Sequence, residues 1–233
     1  SWGLEIRYAP GMFKQIHDFA AGSAEQRLKQ LKWLADQGMR FSFMAEGGYA
    51  ADQLTSPLEN YKVMMKQIKR WGGTFMGYSD VGWIACAALK LGIESIYGPN
   101  FAWLHKWDKT TQRLTRNILT ENKVWEVGPE FHWTMGTPGG ARGIVVIGNI
   151  EVLTRQFGAG NDWLKTRKNI ILCLEENGLS GMDILRGIRH IFSHVGSDKI
   201  KGVVLGRMTE VANGDYPKYS EEVSLRRDII KMI

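Results

Sequence analysis

Short apolar runs alternate with amphipathic helical stretches along this chain, and that alternation points to parallel sheet covered by helices on both faces. Residues 24–37 (AEQRLKQLKWLADQ) place Ala24, Leu28, Leu31 and Leu34 on one helical stripe, which stops at Gly38. Arg40–Ala45 then predicts a strand and Glu59–Trp71 a helix. Thr74–Met76 predicts a short buried strand, Val81–Leu91 an alanine-rich helix, and Ile93–Tyr97 a strand closed by Gly98 and Pro99. Nearer the start, Leu4–Tyr8 (LEIRY) alternates with the period of a strand. The rhythm breaks between residues 100 and 140, a stretch that holds Trp103, Trp107, Trp125 and Trp133 and ends in the turn signal Thr137–Gly140. It resumes with Gly143–Ile147 as a strand, Glu151–Phe157 as a helix, and Ile170–Leu174 as a strand running into Glu175 and Glu176. A helix over 181–195 sets Met182, Leu185, Ile188, Phe192 and Val195 on one face. Val203–Leu205 is a strand and Glu221–Met232 a last helix. The expected class is therefore α/β. A parallel-sheet domain spans 1–105, a junction spans 106–140, and a smaller C-terminal α/β domain spans 141–233.

Composition narrows the partners. With 44% hydrophobic and 23% charged residues over 233 positions, the chain can bury a core without staples. Its two cysteines, Cys86 and Cys173, sit in apolar runs and form no disulfide framework, so both are expected to be buried thiols of a reducing compartment, the cytoplasm. The formal charge is +6, with short basic clusters at Lys165–Lys168 and Arg226–Arg227. Such a scattered excess favours anionic small ligands over a nucleic-acid surface. No apolar run approaches the ~20 residues that cross a bilayer, so neither nucleic acid nor membrane is an expected partner.

Four features carry chemistry. In Phe75–Asp80 (FMGYSD) a serine stands between a buried strand and a helix, where a strained turn exposes Oγ at the sheet edge and aims the next amide at a reacting carbonyl. The pattern is not G-x-S-x-G, since Val81 takes the place of the second glycine, and read alone Ser79 is first a cap for the helix that follows. Gly47 and Gly48 follow a strand directly, which suits either a tight turn or amides brought close to a ligand. Glu175 and Glu176 end a strand, where a carboxylate can orient a histidine or simply be solvated. His190 and His194 have the i, i+4 spacing of metal ligands, but HIFSH lacks the glutamate of H-E-x-x-H, and no metal is expected. His17, His105 and His132 have no acid or cysteine spacing that suggests a site. The tryptophans of 103–133 suit a ligand cleft or an interdomain core.

The order of these segments resembles the LD-carboxypeptidase family, serine peptidase family S66, which includes the microcin C self-immunity peptidases. AEGGYAADQL (45–54) is similar to the family's glycine-rich block and MGYSDV (76–81) to its nucleophile block. SIYGPNF (95–101) is similar to the segment after the nucleophile helix, VIGNIEVL (146–153) to the Gly-Asn block, IILCLEENG (170–178) to the strand of the triad glutamate, and IKGVVLGRM (200–208) to the strand that follows. The resemblance implies Ser79 as nucleophile and Glu175 as the acid that orients the histidine, with Glu176 the fallback for a register off by one. It implies amides of Gly48 and Asp80 as the oxyanion hole, Gly47 shaping the turn, and Tyr78 and Trp133 beside the substrate. It further implies two α/β domains with the active site between them, no cofactor, and a homodimer. The implied reaction hydrolyses an L,D-amide and releases the terminal D-alanine of a murein tetrapeptide through an acyl-enzyme. Within the same fold the alternative substrate is a peptidyl–nucleotide conjugate, with Trp133 stacking on the base.

This chain departs from the pattern in several places. Glu46 stands where an arginine is common, Ala50 and Ile147 where glycine is common, and Gly82 where threonine is common. The family's histidine follows the last helix, and none of the five histidines here matches that position. The expectation is that the natural protein extends beyond both ends of this chain. A chain that truly lacked the histidine would be a catalytically silent peptide-binding domain.

Overall fold

A computed structural model describes residues 2–13, 21–48, 50–121, 139–158, 162–211 and 222–232. The chain divides into two compact units, Ser1–Gly140 and Ala141–Ile233.

The first unit is built on helix α1 (Ala24–Asp36), strand β1 (Phe41–Phe43), helix α2 (Leu58–Trp71), strand β2 (Thr74–Gly77), helix α3 (Gly82–Lys90), strand β3 (Ser95–Tyr97) and helix α4 (Lys109–Glu121). A capping box starts α1: Ser23 Oγ accepts from the Gln26 amide at 3.2 Å, and Gln26 Oε1 accepts from the Ser23 amide at 3.0 Å. Helix α2 stops at Gly72, whose φ of +65° suits a residue without Cβ. The three strands are parallel in the order β1-β2-β3, with Phe43 opposite Met76 and Gly77 opposite Tyr97. Leu28, Leu31 and Leu34 of α1, Met64 and Ile68 of α2, Phe75 of β2 and Ile84, Ala87 and Ala88 of α3 form one buried cluster. The stripe read on α1 is thus the face that packs.

Two expectations for this unit change. Leu4–Tyr8 has the alternation of a strand but is not one: it pairs with no strand among the described residues, and Leu4, Ile6 and Tyr8 are exposed. Alternation predicts a strand only where a neighbouring edge can accept its backbone bonds. The rhythm break after 100 also contains structure the pattern did not predict, a 3₁₀ segment Phe101–Lys106 and helix α4. Helix α4 fully buries only Thr115; Leu114, Ile118 and Leu119 give it a short, half-covered apolar stripe among polar residues, which the reading passed over.

The second unit holds strand β4 (Ile144–Asn149), helix α5 (Ile150–Gly158), strand β5 (Ile170–Asn177), helix α6 (Gly181–Val195), strand β6 (Ile200–Thr209) and helix α7 (Glu222–Met232). Its strands are parallel in the order β4-β5-β6, and Asn149 pairs opposite Glu175. Ile170, Leu172, Leu174 and Glu176 form the buried face of β5, while Ile171, Cys173 and Glu175 lie on the other, half-covered face. Cys173 is therefore not the fully buried thiol expected, whereas Cys86 is buried within α3. The buried stripe of α6 runs through Ile184, Leu185, Ile188, Ile191 and Val195, leaving Met182 and Phe192 half-buried. Helices α5 and α6 pack closely enough that a Cβ on Gly187 would stand 2.5 Å from the Cγ2 of Ile150. No helix among the described residues is long and apolar enough to cross a membrane.

Candidate active site

Strand β2 ends at Gly77, and the chain turns through Tyr78 into a 3₁₀ turn, Ser79–Val81, that leads directly into α3. Ser79 has a φ of +66°, the left-handed region that non-glycine residues rarely occupy. The geometry answers the capping reading. Tyr78 and Val81 occupy the two cap positions, and neither supplies a side-chain cap bond. A strained, half-buried serine at the carboxyl edge of a parallel sheet, at the start of a helix, has the form of a nucleophile elbow.

Two side chains, one from the end of β3 and one from just beyond it, hold this turn. The Tyr78 amide donates to Oδ1 of Asn100 at 3.1 Å, and the Ser79 amide donates to the hydroxyl oxygen of Tyr97 at 2.9 Å. Asn100 is 1% exposed. The sequence singled out neither residue: Tyr97 ends a predicted strand, and Asn100 lies in the SIYGPNF block with no role of its own.

The glycine-rich block meets the elbow from the β1 side. Past β1, the Met44 amide donates to the Met76 carbonyl at 2.8 Å. The amides of Phe101 and Ala102 donate to the carbonyls of Met44 and Ala45 at 2.8 and 2.9 Å. Gly47 then lies against the turn: a Cβ there would stand 3.0 Å from the Ser79 Cβ, 3.0 Å from the Tyr78 carbonyl oxygen and 3.2 Å from Asn100 Nδ2. Only a glycine gives the block that approach. Gly48 follows at φ +109° with open space where a side chain would be. Ala50, where the family pattern has glycine, keeps the left-handed conformation at φ +83° and is buried. Arg27 of α1 donates to its carbonyl and, at 2.8 Å, to Gln53. Partial burial lowers the pKa of that guanidinium.

An aromatic rim borders this edge. Trp103 Nε1 donates to Glu46 Oε1 at 2.9 Å, and Lys106 Nζ lies 4.0 Å from the Trp103 ring centroid. Trp107 meets the Tyr78 ring edge-on, with centroids 5.9 Å apart. Trp133 lies outside the described residues, as do His17, His132 and Trp125.

In the second unit β5 runs past Leu174, so Glu175 and Glu176 belong to the strand and their side chains leave opposite faces. Glu176 is 1% exposed, and its carboxylate accepts from Asn149 Nδ2 at 3.0 Å, the Glu151 amide at 3.0 Å and the Asn177 amide at 2.8 Å. It closes the start of α5, where the helix dipole favours an anion. Burial raises its pKa, and the three bonds act against that rise. Glu176 is thus not a solvated acid: its carboxylate is taken up by bonds within its own unit. Glu175 stands half-exposed on the other face, and a Cβ on Gly206 of β6 would come within 3.1 Å of its Cβ. Here β6 carries one extra residue, since Leu174 pairs with Leu205 but Glu176 with Met208.

His190 and His194 turn to packing: the His194 ring stacks on Phe157 of α5 at 4.3 Å, and the two imidazoles lie 6.1 Å apart. Among the described residues no group of three or more potential ligand side chains gathers as a metal site.

Comparison with known proteins places both parts of the chain in one family. The family model for the LD-carboxypeptidase N-terminal domain (Peptidase S66) matches residues 1–98, and that for the C-terminal domain matches residues 142–232. A Synechocystis sp. (strain ATCC 27184 / PCC 6803 / Kazusa) protein named as a carboxypeptidase, slr1534, is 28% identical over 233 residues, 95% of this chain and 70% of the relative. Among solved structures, muramoyltetrapeptide carboxypeptidase from Oxalobacter formigenes superposes with a TM-score of 0.73 at 20% identity, covering 94% of this chain and 74% of that one. The microcin C7 self-immunity protein MccF, in complex with aspartyl sulfamoyl adenosine, gives 0.67 at 17% identity, covering 95% and 73%. At such identities the structures establish a shared fold, while the two family models together account for both units, and the chain belongs to the LD-carboxypeptidase family of S66 peptidases.

Proposed function

We propose that this chain carries the nucleophile and the orienting carboxylate of a serine-type carboxypeptidase that cleaves L,D-amide bonds and releases the terminal D-alanine of murein tetrapeptides. The observation that carries the reading is Ser79 at φ +66° on the turn after β2, packed against Gly47. In this reading Ser79 Oγ attacks the scissile carbonyl as its proton passes to a histidine, which the family resemblance places after α7. The Ser79 amide donates to Tyr97, and the family resemblance assigns the developing oxyanion to the amides of Asp80 and Gly48. Collapse breaks the C–N bond, the D-alanine amine leaves with the histidine's proton, and water hydrolyses the ester by the same route. Glu175 is the orienting acid; with Glu176 committed to the start of α5, the fallback is disfavoured.

The test is Ser79→Ala in the full-length gene product with a murein tetrapeptide. D-Alanine release falls by more than ~10³-fold, leaving only what binding and oxyanion stabilisation supply. Unchanged release rejects the assignment. An aminoacyl-sulfamoyl adenosine assayed in parallel separates the peptidyl–nucleotide reading, which fold likeness to MccF supports. Tight peptide binding without hydrolysis by wild type is the mark of a silent binding domain. A homodimer in the cytoplasm remains part of the proposal on family resemblance, with the mass in solution as its check.

A further inference from the structure

Two polar side chains outside both the nucleophile block and the glycine block reach into the elbow, and the reaction proposed above uses neither directly. Tyr97 ends β3, and Asn100 lies three residues on, after Gly98-Pro99. The Tyr97 hydroxyl oxygen accepts from the Ser79 amide, and Asn100 Oδ1 accepts from the amide one residue earlier. Asn100 also touches both neighbours of the turn. A Cβ on Gly77 would stand 2.7 Å from its Oδ1, and one on Gly47 would stand 3.2 Å from its Nδ2. At 1% exposure its amide has no solvent alternative, so the bond to Tyr78 fixes side chain and turn together.

A serine at positive φ relaxes unless its surroundings over-determine it. Relaxation would rotate the peptide that follows Ser79, which carries the Asp80 amide, and would move Oγ with it. We infer that Tyr97 and Asn100 are the positioning residues of the nucleophile: paired acceptors for consecutive amides that hold Ser79 in the left-handed conformation and keep the Asp80 amide aimed at the oxyanion. This inference rests on Ser79 being the nucleophile. It deepens that reading by assigning the preorganisation of the site to the end of β3 and the residues just after it, where Asn100 also lies close beside Gly47 of the glycine block.

The experiment uses the full-length protein with Tyr97→Phe, Asn100→Ala and Asn100→Asp beside Ser79→Ala. Tyr97→Phe removes only the accepting oxygen and keeps the ring. Its kcat falls about 10- to 100-fold with KM within about twofold of wild type, the signature of a misaimed nucleophile in an intact binding site. Hydrogen exchange at the Ser79 amide speeds up in the same variant. Asn100→Ala lowers kcat to a similar degree, and Asn100→Asp, which keeps an accepting oxygen at the same place, recovers most of it. A Tyr97→Phe protein with wild-type kcat overturns the inference, whatever its melting temperature, because a purely structural role predicts lost stability without lost turnover. If Ser79→Ala is itself fully active, the nucleophile assignment fails first and this one with it. If Ser79→Ala is inactive while Tyr97→Phe is not, only the positioning role is lost.

Discussion

Replacing Ser79 by glycine and, separately, by alanine isolates the strain stored at the elbow. Alanine removes the hydroxyl but must still hold φ at +66°, whereas glycine occupies that region freely. Left-handed backbone costs an L-residue about 1–2 kcal/mol. Against its relief stand about 0.5–1 kcal/mol of extra unfolded-chain entropy for glycine, and a few tenths for the lost contact between Cβ and Gly47. The balance favours glycine over alanine by about 0.5 kcal/mol, which for a chain of this size raises the melting temperature by about 1–2 °C. At an ordinary helical or extended site the same comparison favours alanine by ~0.5–1 kcal/mol, so the sign of the difference is the measurement. Thermal and urea unfolding of the two variants provides it, and both variants lose turnover. A Ser79→Gly protein that melts more than about 2 °C below Ser79→Ala would refute the strained-elbow argument, because the site would then be behaving as unstrained backbone.

Three further outcomes follow from the packing. Gly47→Ala forces a methyl to 3.0 Å from both the Ser79 Cβ and the Tyr78 carbonyl; it costs about 1–3 kcal/mol in urea unfolding and lowers kcat at least tenfold, and full activity would mean the two loops do not need their contact. Gly187→Ala gains up to about 1 kcal/mol of helix propensity but places Cβ 2.5 Å from Ile150 Cγ2, so it destabilises on balance; a rise in melting temperature would show that α5 and α6 can separate without loss. For Glu176, burial raises the folded-state pKa above the unfolded value, so the native state holds the proton more tightly and ionisation works against folding as pH rises past about 4.5. Wild type therefore loses stability relative to the non-titrating Glu176→Gln between pH 4 and 7 on a linkage argument, and a gap that instead moved in favour of wild type over that range would reverse the assignment.

The α/β class and the positions of most elements are legible in the sequence, because burial leaves a periodic record: the Leu28–Leu31–Leu34 stripe, the apolar runs of β2 and β5, and Gly38 just past the end of α1. It also singled out candidate positions, since a serine between strand and helix and paired glycines after a strand are local strings. Tertiary structure decided what those strings mean. Whether Ser79 caps a helix or sits on a strained elbow depends on the sign of φ, and the side chains that bond the turn's amides, Tyr97 and Asn100, come from another strand and the loop after it. Glu175 and Glu176 are equivalent letters until β5 extends past Leu174, the pleat sends them to opposite faces, and the start of α5 takes one of them. Leu4–Tyr8 has the pattern of a strand and pairs with none among the described residues. Periodicity reports which side of a segment is covered; conformation at a single residue, and the use made of a single carboxylate, depend on neighbours that arrive only through the fold.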